Sequence, residues 1–221
     1  MTTNTKKGYK GLGMEGFIAR WYARNTEKAS RHREVAEKIA EDLTDGAYVL
    51  EVAPGPGYLA IELAKLCRFE VAGLDISKTF VQIAADNAAK AGVTVAFHHG
   101  DAAAMPFSTD TFDLIVCMAA FKNFAQPVRA LSEMHRVLKA SGKALIIDLR
   151  PDVSDEEIAS EVKKMNLSWF SSVMTKLTFK HMLRKRAYSR EQLQDMVSHT
   201  PFKSCEIRGE SLGFEVSLVK S

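Results

Sequence analysis

The decapeptide EVAPGPGYLA, residues 51–60, places two glycines and two prolines between an apolar run and a segment with helical spacing. The preceding run, AYVLEVA (47–53), is short and rich in β-forming residues, so the chain is predicted to turn from a strand into a helix here. Gly55, Gly57 and Ala60 also fit the G-x-G-x-x-A spacing of dinucleotide-binding turns, in which backbone N–H groups face a ligand. A tight turn that binds nothing can have the same spacing. The surrounding residues are therefore needed to tell whether this turn binds a ligand.

Strands alternate with helices along the chain after this turn. β-type runs occur at 69–75, 93–101, 112–120 and 143–149, and helical patterns at 57–67, 77–92 and 127–139. The alternation predicts right-handed βαβ units, and therefore a parallel sheet with helices on both faces. Two more β-type runs, 203–209 and 213–220, are joined by so short a link that they should form an antiparallel hairpin.

The pattern changes after Arg150. Ser154 and Glu157 have the spacing of a capping box that opens a helix, and Ser189 begins a second one. The apolar and basic stretch 167–186 continues helically between them, which is typical of an amphipathic helix packed on a core. A cap over a substrate and loose attachment to a membrane surface are the alternative interpretations.

We expect one domain built of four consecutive parts. They are an N-terminal helical segment or lid (1–45), an α/β core (46–150), a helical cap insertion (151–188), and a final helix with the hairpin (189–221). The 221 residues are 46% hydrophobic and 26% charged, as in an ordinary soluble globular protein with enough apolar material for a core.

Charge and cysteine content argue against several classes of function. The net charge of +3 is too small to indicate a nucleic-acid partner, and no apolar run approaches the length that crosses a bilayer. Cys67, Cys117 and Cys205 lie far apart, which argues against a metal site and favours buried thiols in a reducing cytosol. We therefore expect a cytoplasmic protein with no metal, no nucleic-acid partner and no stable membrane insertion, and the oligomeric state is left open.

Three acidic residues near the predicted strand ends indicate a ligand site. Glu51 lies inside the apolar strand before the turn, where a carboxylate is costly unless it has a partner. Asp75 ends the second strand, 18 residues after Gly57, where an acid can accept hydrogen bonds from both hydroxyls of a ribose. Asp101 ends the third strand. Each acid alone could be a cap or a turn residue, but all three at successive ends of one sheet are hard to explain in that way.

In this order, the segments VLEVAPGPGYLAIELA, GLDIS, HGDAAAMPF and FDLIVCMAA resemble the class I S-adenosylmethionine-dependent methyltransferases. The small-molecule group that includes the ubiquinone/menaquinone-biosynthesis enzymes is the most similar branch. The resemblance covers roughly residues 46–150 and the terminal hairpin. It implies a Rossmann-like sheet of seven strands in the order 3-2-1-4-5-7-6, with the last strand antiparallel. It also implies S-adenosylmethionine as cofactor and methyl transfer to a small-molecule acceptor by in-line displacement.

The resemblance further assigns cofactor contacts to matching positions at the strand ends. These positions are Glu51, Ala53, Gly55, Gly57, Asp75, Ile76, Gly100, Asp101, Ala102 and Met118. Asp75 is expected to hydrogen-bond to the ribose diol of the cofactor and Asp101 to its adenine amine. The turn after the first strand is expected to line the methionine part of the cofactor. Glu51 is expected to orient that turn or the amino group of the cofactor.

The alanine at position 53 departs from the family, which often has glycine there. Because alanine disfavours positive φ, we predict negative φ at Ala53. Each proline of the turn also biases its predecessor, Ala53 or Gly55, toward extended geometry. The turn is therefore predicted to be stiff, which reduces the entropy lost when a ligand binds.

Acceptor contacts and a catalytic base are less clearly marked. Candidate acceptor contacts are apolar or aromatic residues of the N-terminal helix, the segment after the fourth strand and the insertion: Phe17, Trp21, Tyr22, Phe121, Trp169 and Met174. Ordinary helix packing explains the three N-terminal aromatics about equally well. Weak candidates for a base are His98, His99 and Lys122, and a surface or strand-end role is the better interpretation of both histidines.

Two other functions remain open from the sequence. A nicotinamide-dependent oxidoreductase would explain the glycine spacing and Asp75, but not Glu51 or the Gly100-Asp101 pair. A non-catalytic S-adenosylmethionine-binding protein on the same fold is the second alternative, because fold does not fix function. Methylation of base amines is disfavoured, because AAFKNF (119–124) lacks the Asn/Asp-Pro-Pro-aromatic motif of such enzymes.

Overall fold

A computed structural model describes residues 8–10, 13–26, 31–164, 184–209 and 212–221. Its strands are β1 (Tyr48–Val52), β2 (Glu70–Asp75), β3 (Ala96–His99), β4 (Phe112–Met118), β5 (Leu138–Leu149), β6 (Ser204–Gly209) and β7 (Gly213–Val219). They form a sheet in the order β3-β2-β1-β4-β5-β7-β6. β1 to β5 are parallel, and β7 is antiparallel to both β5 and β6. The predicted topology is confirmed.

Helices cover both faces of the sheet. They are α1 (Gly16–Thr26), α2 (Arg31–Glu41), α3 (Tyr58–Lys65), α4 (Lys78–Ala91), α5 (Pro127–Val137), α6 (Asp155–Lys164) and α7 (Arg190–Ser198), with single helical turns at Phe121–Asn123 and Arg184–Arg186. Leu50 and Val52 of β1 pack toward α5 and α7, whereas Val49 packs toward α2 and α3. This alternation follows from the two-residue repeat of a strand that is buried on both faces.

The helix ends follow the signals that the sequence carries. Ser77 caps α4 by accepting a hydrogen bond from the backbone of Phe80, and Gly92 ends that helix with φ of 69°. Ser154 and Glu157 form both hydrogen bonds of a capping box, as does the second box that opens at Ser189. These local predictions are confirmed.

The boundary between α5 and β5 is wrong in the sequence prediction. The helix ends at Val137 rather than at Lys139, and β5 begins at Leu138. Ser141, which lies between the predicted helix and the predicted strand, is within β5 with φ of 63°, and its N–H donates to the carbonyl of Lys220. The pairing register between β4 and β5 shifts here, so this part of β5 is a bulge. Its composition is typical of a turn at the end of a helix.

Two other expectations are outside the described residues or need correction. Most of the predicted helix 167–186, with Trp169 and Met174, lies outside the described residues. Cys117 is buried and Cys205 half-buried, but Cys67 is exposed, so the prediction of three buried thiols is wrong. Within the described part of the chain, no helix is long and apolar enough to span a membrane.

Candidate functional site

The turn after β1 bends through three residues with positive φ. Ala53, Gly55 and Gly57 have φ of 58°, 55° and 82°. The predictions of negative φ at Ala53 and of extended geometry at Ala53 and Gly55 are therefore wrong. The N–H of Ala53 still donates to the carbonyl of Leu74 on β2, at 2.8 Å, so the chain has to leave the sheet abruptly at this position. The left-handed conformation costs an alanine about 1–2 kcal/mol, which the surrounding structure must supply.

The two glycines of the turn have different surroundings. A Cβ added to Gly55 would have no atom within 4 Å, so this glycine borders open space. A Cβ on Gly57 would lie 2.9 Å from Ala84 on α4 and 2.9 Å from the ring of Phe97. Gly55 therefore leaves room for a ligand, whereas Gly57 permits close packing of the turn against the protein.

Glu51 lies inside the sheet and stabilises the segment that follows this turn. Its side chain is buried, and its Oε2 accepts a hydrogen bond from the N–H of Ala60 at 2.8 Å. Burial raises the pKa of Glu51 to about 8, and the nearby charge of Asp75 adds to the increase. The expected partner of the buried carboxylate is thus the first turn of α3.

Asp75 links two strand ends. Its Oδ2 accepts from the N–H of Gly55 at 3.0 Å and its Oδ1 from the N–H of Ser77 at 2.8 Å. Burial raises its pKa, against the effect of these two hydrogen bonds. Each carboxylate oxygen keeps a further lone pair for a ligand hydroxyl. The next residue, Ile76, has 38% of its surface exposed, which suits contact with a flat ring.

Asp101 lies in the loop after β3, close to Asp75. Its Oδ1 accepts from the N–H of Ala103 at 2.9 Å, and the N–H of Gly100 donates to the carbonyl of Asp75 at 2.9 Å. A side chain at Gly100 would collide with Leu74, at 2.8 Å. The loops after β2 and β3 are therefore held together, and the half-exposed Ala102 lies beside them.

Two residues of α5 that the sequence pattern did not single out hold this loop in place. Glu133 Oε2 accepts from the N–H of Met105 at 2.8 Å. Arg136 donates to the carbonyls of Phe107 and Met105 and forms an ion pair with Glu133. The sequence does show an acidic and a basic residue three positions apart on one helix. Their contact with the loop depends on the fold, so it could not be predicted from this spacing.

The end of β4 brings Met118 and Ala119 to the same edge of the sheet. Ala119 has φ of 58°, and its N–H donates to the carbonyl of Ile147 at 2.7 Å. Beneath it, Lys122 is buried, with its Nζ at 2.6 Å from Asp148 Oδ1 and 2.5 Å from the carbonyl of Ala119. An ammonium group held by two acceptors is poorly suited to act as a base, so the geometry favours a positioning role for Lys122.

The other predicted reactive or acceptor residues are dispersed. His98 and His99 are exposed at the end of β3, which two strands separate from β4, and this corresponds to roughly 14 Å. His98 packs edge-on against Phe107, and His99 Nε2 lies 3.2 Å from the carbonyl of Ile76. Phe121 is almost fully buried and packs in the core.

The helix α1 lies over the edge where these residues meet. The hydroxyl of Tyr58, at the start of α3, donates to the carbonyl of Ala23 at 2.8 Å. Ser77, at the start of α4, donates to the carbonyl of Met14 at 2.6 Å. The predicted acceptor residues of this helix are exposed, by 80% (Phe17), 56% (Trp21) and 39% (Tyr22).

The turn after β1, Asp75, Asp101 and the end of β4 thus lie along the carboxyl edge of the sheet, and open α/β sheets bind ligands in the cleft outside this edge. The buried Asp75 and the open space at Gly55 suit a ligand with hydroxyl groups and a flat ring. Among the described residues, no group of His, Cys, Asp and Glu side chains could hold a metal ion. The antiparallel β7 between β5 and β6 also differs from the classical order of the dinucleotide-binding fold.

Comparison with known proteins gives consistent results. Residues 49–142 match the family model described as a methyltransferase domain. The demethylmenaquinone methyltransferase of Chlorobaculum parvum is 31% identical over 172 residues, which are 76% of this chain and 67% of that protein. A ubiquinone/menaquinone biosynthesis C-methyltransferase, UbiE of a Marinomonas species, is 33% identical over 53% of this chain and 47% of that protein. The crystal structure of a SAM dependent methyltransferase from Aquifex aeolicus has a TM-score of 0.72 at 18% identity, over 93% of this chain and 100% of that one, which shows the shared fold.

Proposed function

We propose that this chain, which belongs to the class I S-adenosylmethionine-dependent methyltransferases, transfers the methyl group to a ring carbon of a small, aromatic, quinol-type acceptor. The relatives that support the acceptor class are named for quinone biosynthesis. The second of them is matched over less than half of its own length. The proposal therefore also has to be supported by the cleft of this chain.

The residues at the cleft suit the cofactor. In this proposal, Asp75 accepts hydrogen bonds from the ribose hydroxyls, Asp101 accepts from the adenine amine, and the space beside Gly55 admits the methionine part. Ile76 packs against the adenine, and Met118 lies on the sulfonium side. When bound, S-adenosylmethionine supplies an electrophilic methyl group. The protein aligns the acceptor with it and excludes water.

The observation that carries the acceptor class is the exposed aromatic surface of α1. Phe17 and Trp21 are exposed by 80% and 56%, although α1 is tied to the start of α3 through Ala23 and to the first turn of α4 through the N–H of Gly16. In this proposal α1 turns these rings toward the acceptor, and burying them against an aromatic acceptor is favourable in water. In this role α1 is the lid, and the division of the chain into lid, core and cap stays a prediction.

The reaction needs little from the protein beyond alignment. The ring carbon of an ionised quinol supplies the electron pair for the new carbon–carbon bond, and the sulfonium–methyl bond breaks. The ring carbon then loses its proton to water when the product is released from the cleft. We assign no base to this step, because His98 and His99 lie on the adenine side and Lys122 is buried with Asp148.

The proposal is tested by incubating the protein with methyl-labelled S-adenosylmethionine and a reduced naphthoquinone with a free ring position beside the hydroxyl. A catechol and a primary amine serve as other acceptors. We expect label on a ring carbon of the naphthohydroquinone. The double variant Phe17→Ala/Trp21→Ala should raise the KM for this acceptor several-fold without changing cofactor affinity, and Arg20→Ala on the same helix is the control.

Labelling only at oxygen or nitrogen would contradict the acceptor class. Cofactor binding without transfer to any acceptor would instead support the non-catalytic alternative. We further propose that the protein acts on no nucleic acid and is cytoplasmic, and a strong salt dependence of RNA or DNA binding would contradict the first of these statements.

A further inference from the structure

The residue before α1 is bound to the first turn of α4. Glu15 Oε1 accepts a hydrogen bond from the backbone N–H of Lys78 at 3.0 Å, and its Oε2 accepts from the N–H of Thr79 at 3.1 Å. The hydroxyl of Thr79 also donates to Glu15 Oε2. Slight burial acts to raise the pKa of Glu15, but its hydrogen bonds, chiefly those from Thr79, lower it, so the carboxylate is ionised at neutral pH. A carboxylate 63 residues before Lys78 in the sequence therefore occupies the amino-terminal end of this helix.

Glu15 and Asp75 share the amino-terminal end of α4. The first four N–H groups of a helix, counted from the capping residue, have no acceptor within that helix. In α4 the first of them, from Ser77, donates to Asp75 Oδ1 at 2.8 Å, and the fourth, from Phe80, donates to Ser77 Oγ at 3.1 Å. The two between them donate to Glu15, and the positive end of the helix dipole favours both carboxylates. Glu15 and the carboxylate that we assign to the ribose thus cap the same helix turn.

Two further hydrogen bonds fix the chain at the base of α1. Ser77 Oγ donates to the carbonyl of Met14 at 2.6 Å, and the N–H of Gly16 donates to Thr79 Oγ1 at 3.0 Å. Gly16 has φ of 55°, and a Cβ added to it would have no atom within 4 Å, so glycine is needed here for the backbone conformation and not for space. The chain is therefore held to α4 on both sides of Glu15 while it turns into α1.

We propose that Glu15 is a positioning residue that docks the base of α1 on α4 and, through the shared helix cap, holds Asp75 oriented for the ribose of the cofactor. Docking of α1 and binding of the cofactor then strengthen each other, because both favour the same arrangement of this helix end. The inference rests on the proposed cofactor site, but it is independent of the acceptor. It assigns to Glu15 a role in cofactor binding that acts through Ser77 and not through contact with the ligand.

Isothermal titration with S-adenosylhomocysteine tests the positioning role. Glu15→Gln keeps the shape of the side chain but places an amide NH₂ group against a backbone donor, so the affinity should fall about five-fold. Thr79→Val removes the hydroxyl that joins Glu15 to Gly16 and should weaken binding by a smaller factor. Glu34→Gln, at an exposed position on α2, is the matched control and should bind like the wild type.

A double-variant cycle separates positioning from a general loss of stability. In the Asp75→Ala background the ribose contact is already lost, so Glu15→Gln should change the affinity by less than about two-fold. A purely structural role of Glu15 would weaken binding by the same factor in both backgrounds. Thermal unfolding of each variant shows whether it is folded at the temperature of the titration.

Amide hydrogen exchange measures the docking of α1 itself. In the wild type, S-adenosylhomocysteine should slow exchange in residues 16–24, because ligand binding and docking strengthen each other. In Glu15→Gln these amides should exchange faster without ligand, and the ligand should protect them less. The amides of α5, which follows β4 in the chain, are the internal reference.

Unchanged affinity in Glu15→Gln and Thr79→Val, while Asp75→Ala binds more weakly, would overturn the positioning role and leave the proposed cofactor site intact. So would an equal loss of affinity in the two backgrounds of the cycle. If Glu15→Gln does not fold, Thr79→Val and the ligand-dependent exchange of α1 in the wild type still decide the question. Unchanged affinity in Asp75→Ala would instead contradict the proposed cofactor site, and the positioning role with it.

Discussion

Among single residues, those around the cleft include a backbone conformation and a buried polar group that both cost free energy of folding. Ala53 keeps a left-handed conformation, and Glu51 keeps a carboxyl group in the core beside Asp75. The sequence shows that Glu51 lies in an apolar strand, and this is enough to predict that it needs a partner. The φ of Ala53 was mispredicted because it depends on a hydrogen bond to Leu74, on another strand.

Glu51 should make the stability of the ligand-free protein depend on pH. The pKa of Glu51 is about 8 in the folded state and near 4.5 in the unfolded chain, so the unfolded chain loses this proton first as pH rises. The folded protein therefore loses stability from about pH 4.5 to about pH 8, by up to about 1.4 kcal/mol for each pH unit. Glu51→Gln removes this dependence.

Urea unfolding at several pH values measures the effect. The free energy of unfolding of Glu51→Gln, relative to the wild type, should increase from pH 5 to pH 8. Glu70→Gln, at the exposed start of β2, is the control and should show no such trend. A difference between Glu51→Gln and the wild type that is independent of pH would show that the carboxyl is not buried as described.

At the scale of elements, the loop after β4 is held by a buried ion pair and not by a turn motif. The backbone N–H of Lys122 donates to Asp148 Oδ2 at 2.8 Å, and its Nζ contacts Asp148 Oδ1 at 2.6 Å. Lys122 was a weak candidate base in the sequence, where it follows the fourth strand. Its actual partner is on β5, and neither the partner nor the burial is visible from local spacing.

Removing one member of this pair should be strongly destabilising. Lys122→Met leaves the carboxylate of Asp148 without its counter-charge, at an expected cost of about 3–5 kcal/mol in unfolding free energy. Lys65→Met, in a partly exposed pair with Glu62, is the control and should cost below about 1 kcal/mol. In the double variant Lys122→Met/Asp148→Asn, part of the loss should be recovered. Equal costs at the two pairs would contradict a buried role for Lys122.

At the scale of the whole molecule, alternating strand and helix patterns predicted the parallel part of the sheet. The terminal hairpin was also predicted from two runs and a short link, but its insertion beside β5 came only from the family resemblance. Residues 8–10 carry no pattern that predicts their place, because their pairing with residues 123–125 joins parts of the chain that are remote in sequence. The sequence therefore predicts features that depend on neighbouring residues, but it does not predict the pairing of distant segments.

In the proposed function, the carboxyl edge of this sheet binds an S-adenosyl ligand through Asp75. Isothermal titration with S-adenosylhomocysteine tests it most directly, with Asp75→Ala as the site variant and Asp86→Asn, exposed on α4, as the control. We expect binding by the wild type and by Asp86→Asn, at least several-fold weaker binding by Asp75→Ala, and no heat from NAD. Unchanged affinity in Asp75→Ala, or binding of NAD in place of S-adenosylhomocysteine, would contradict the account.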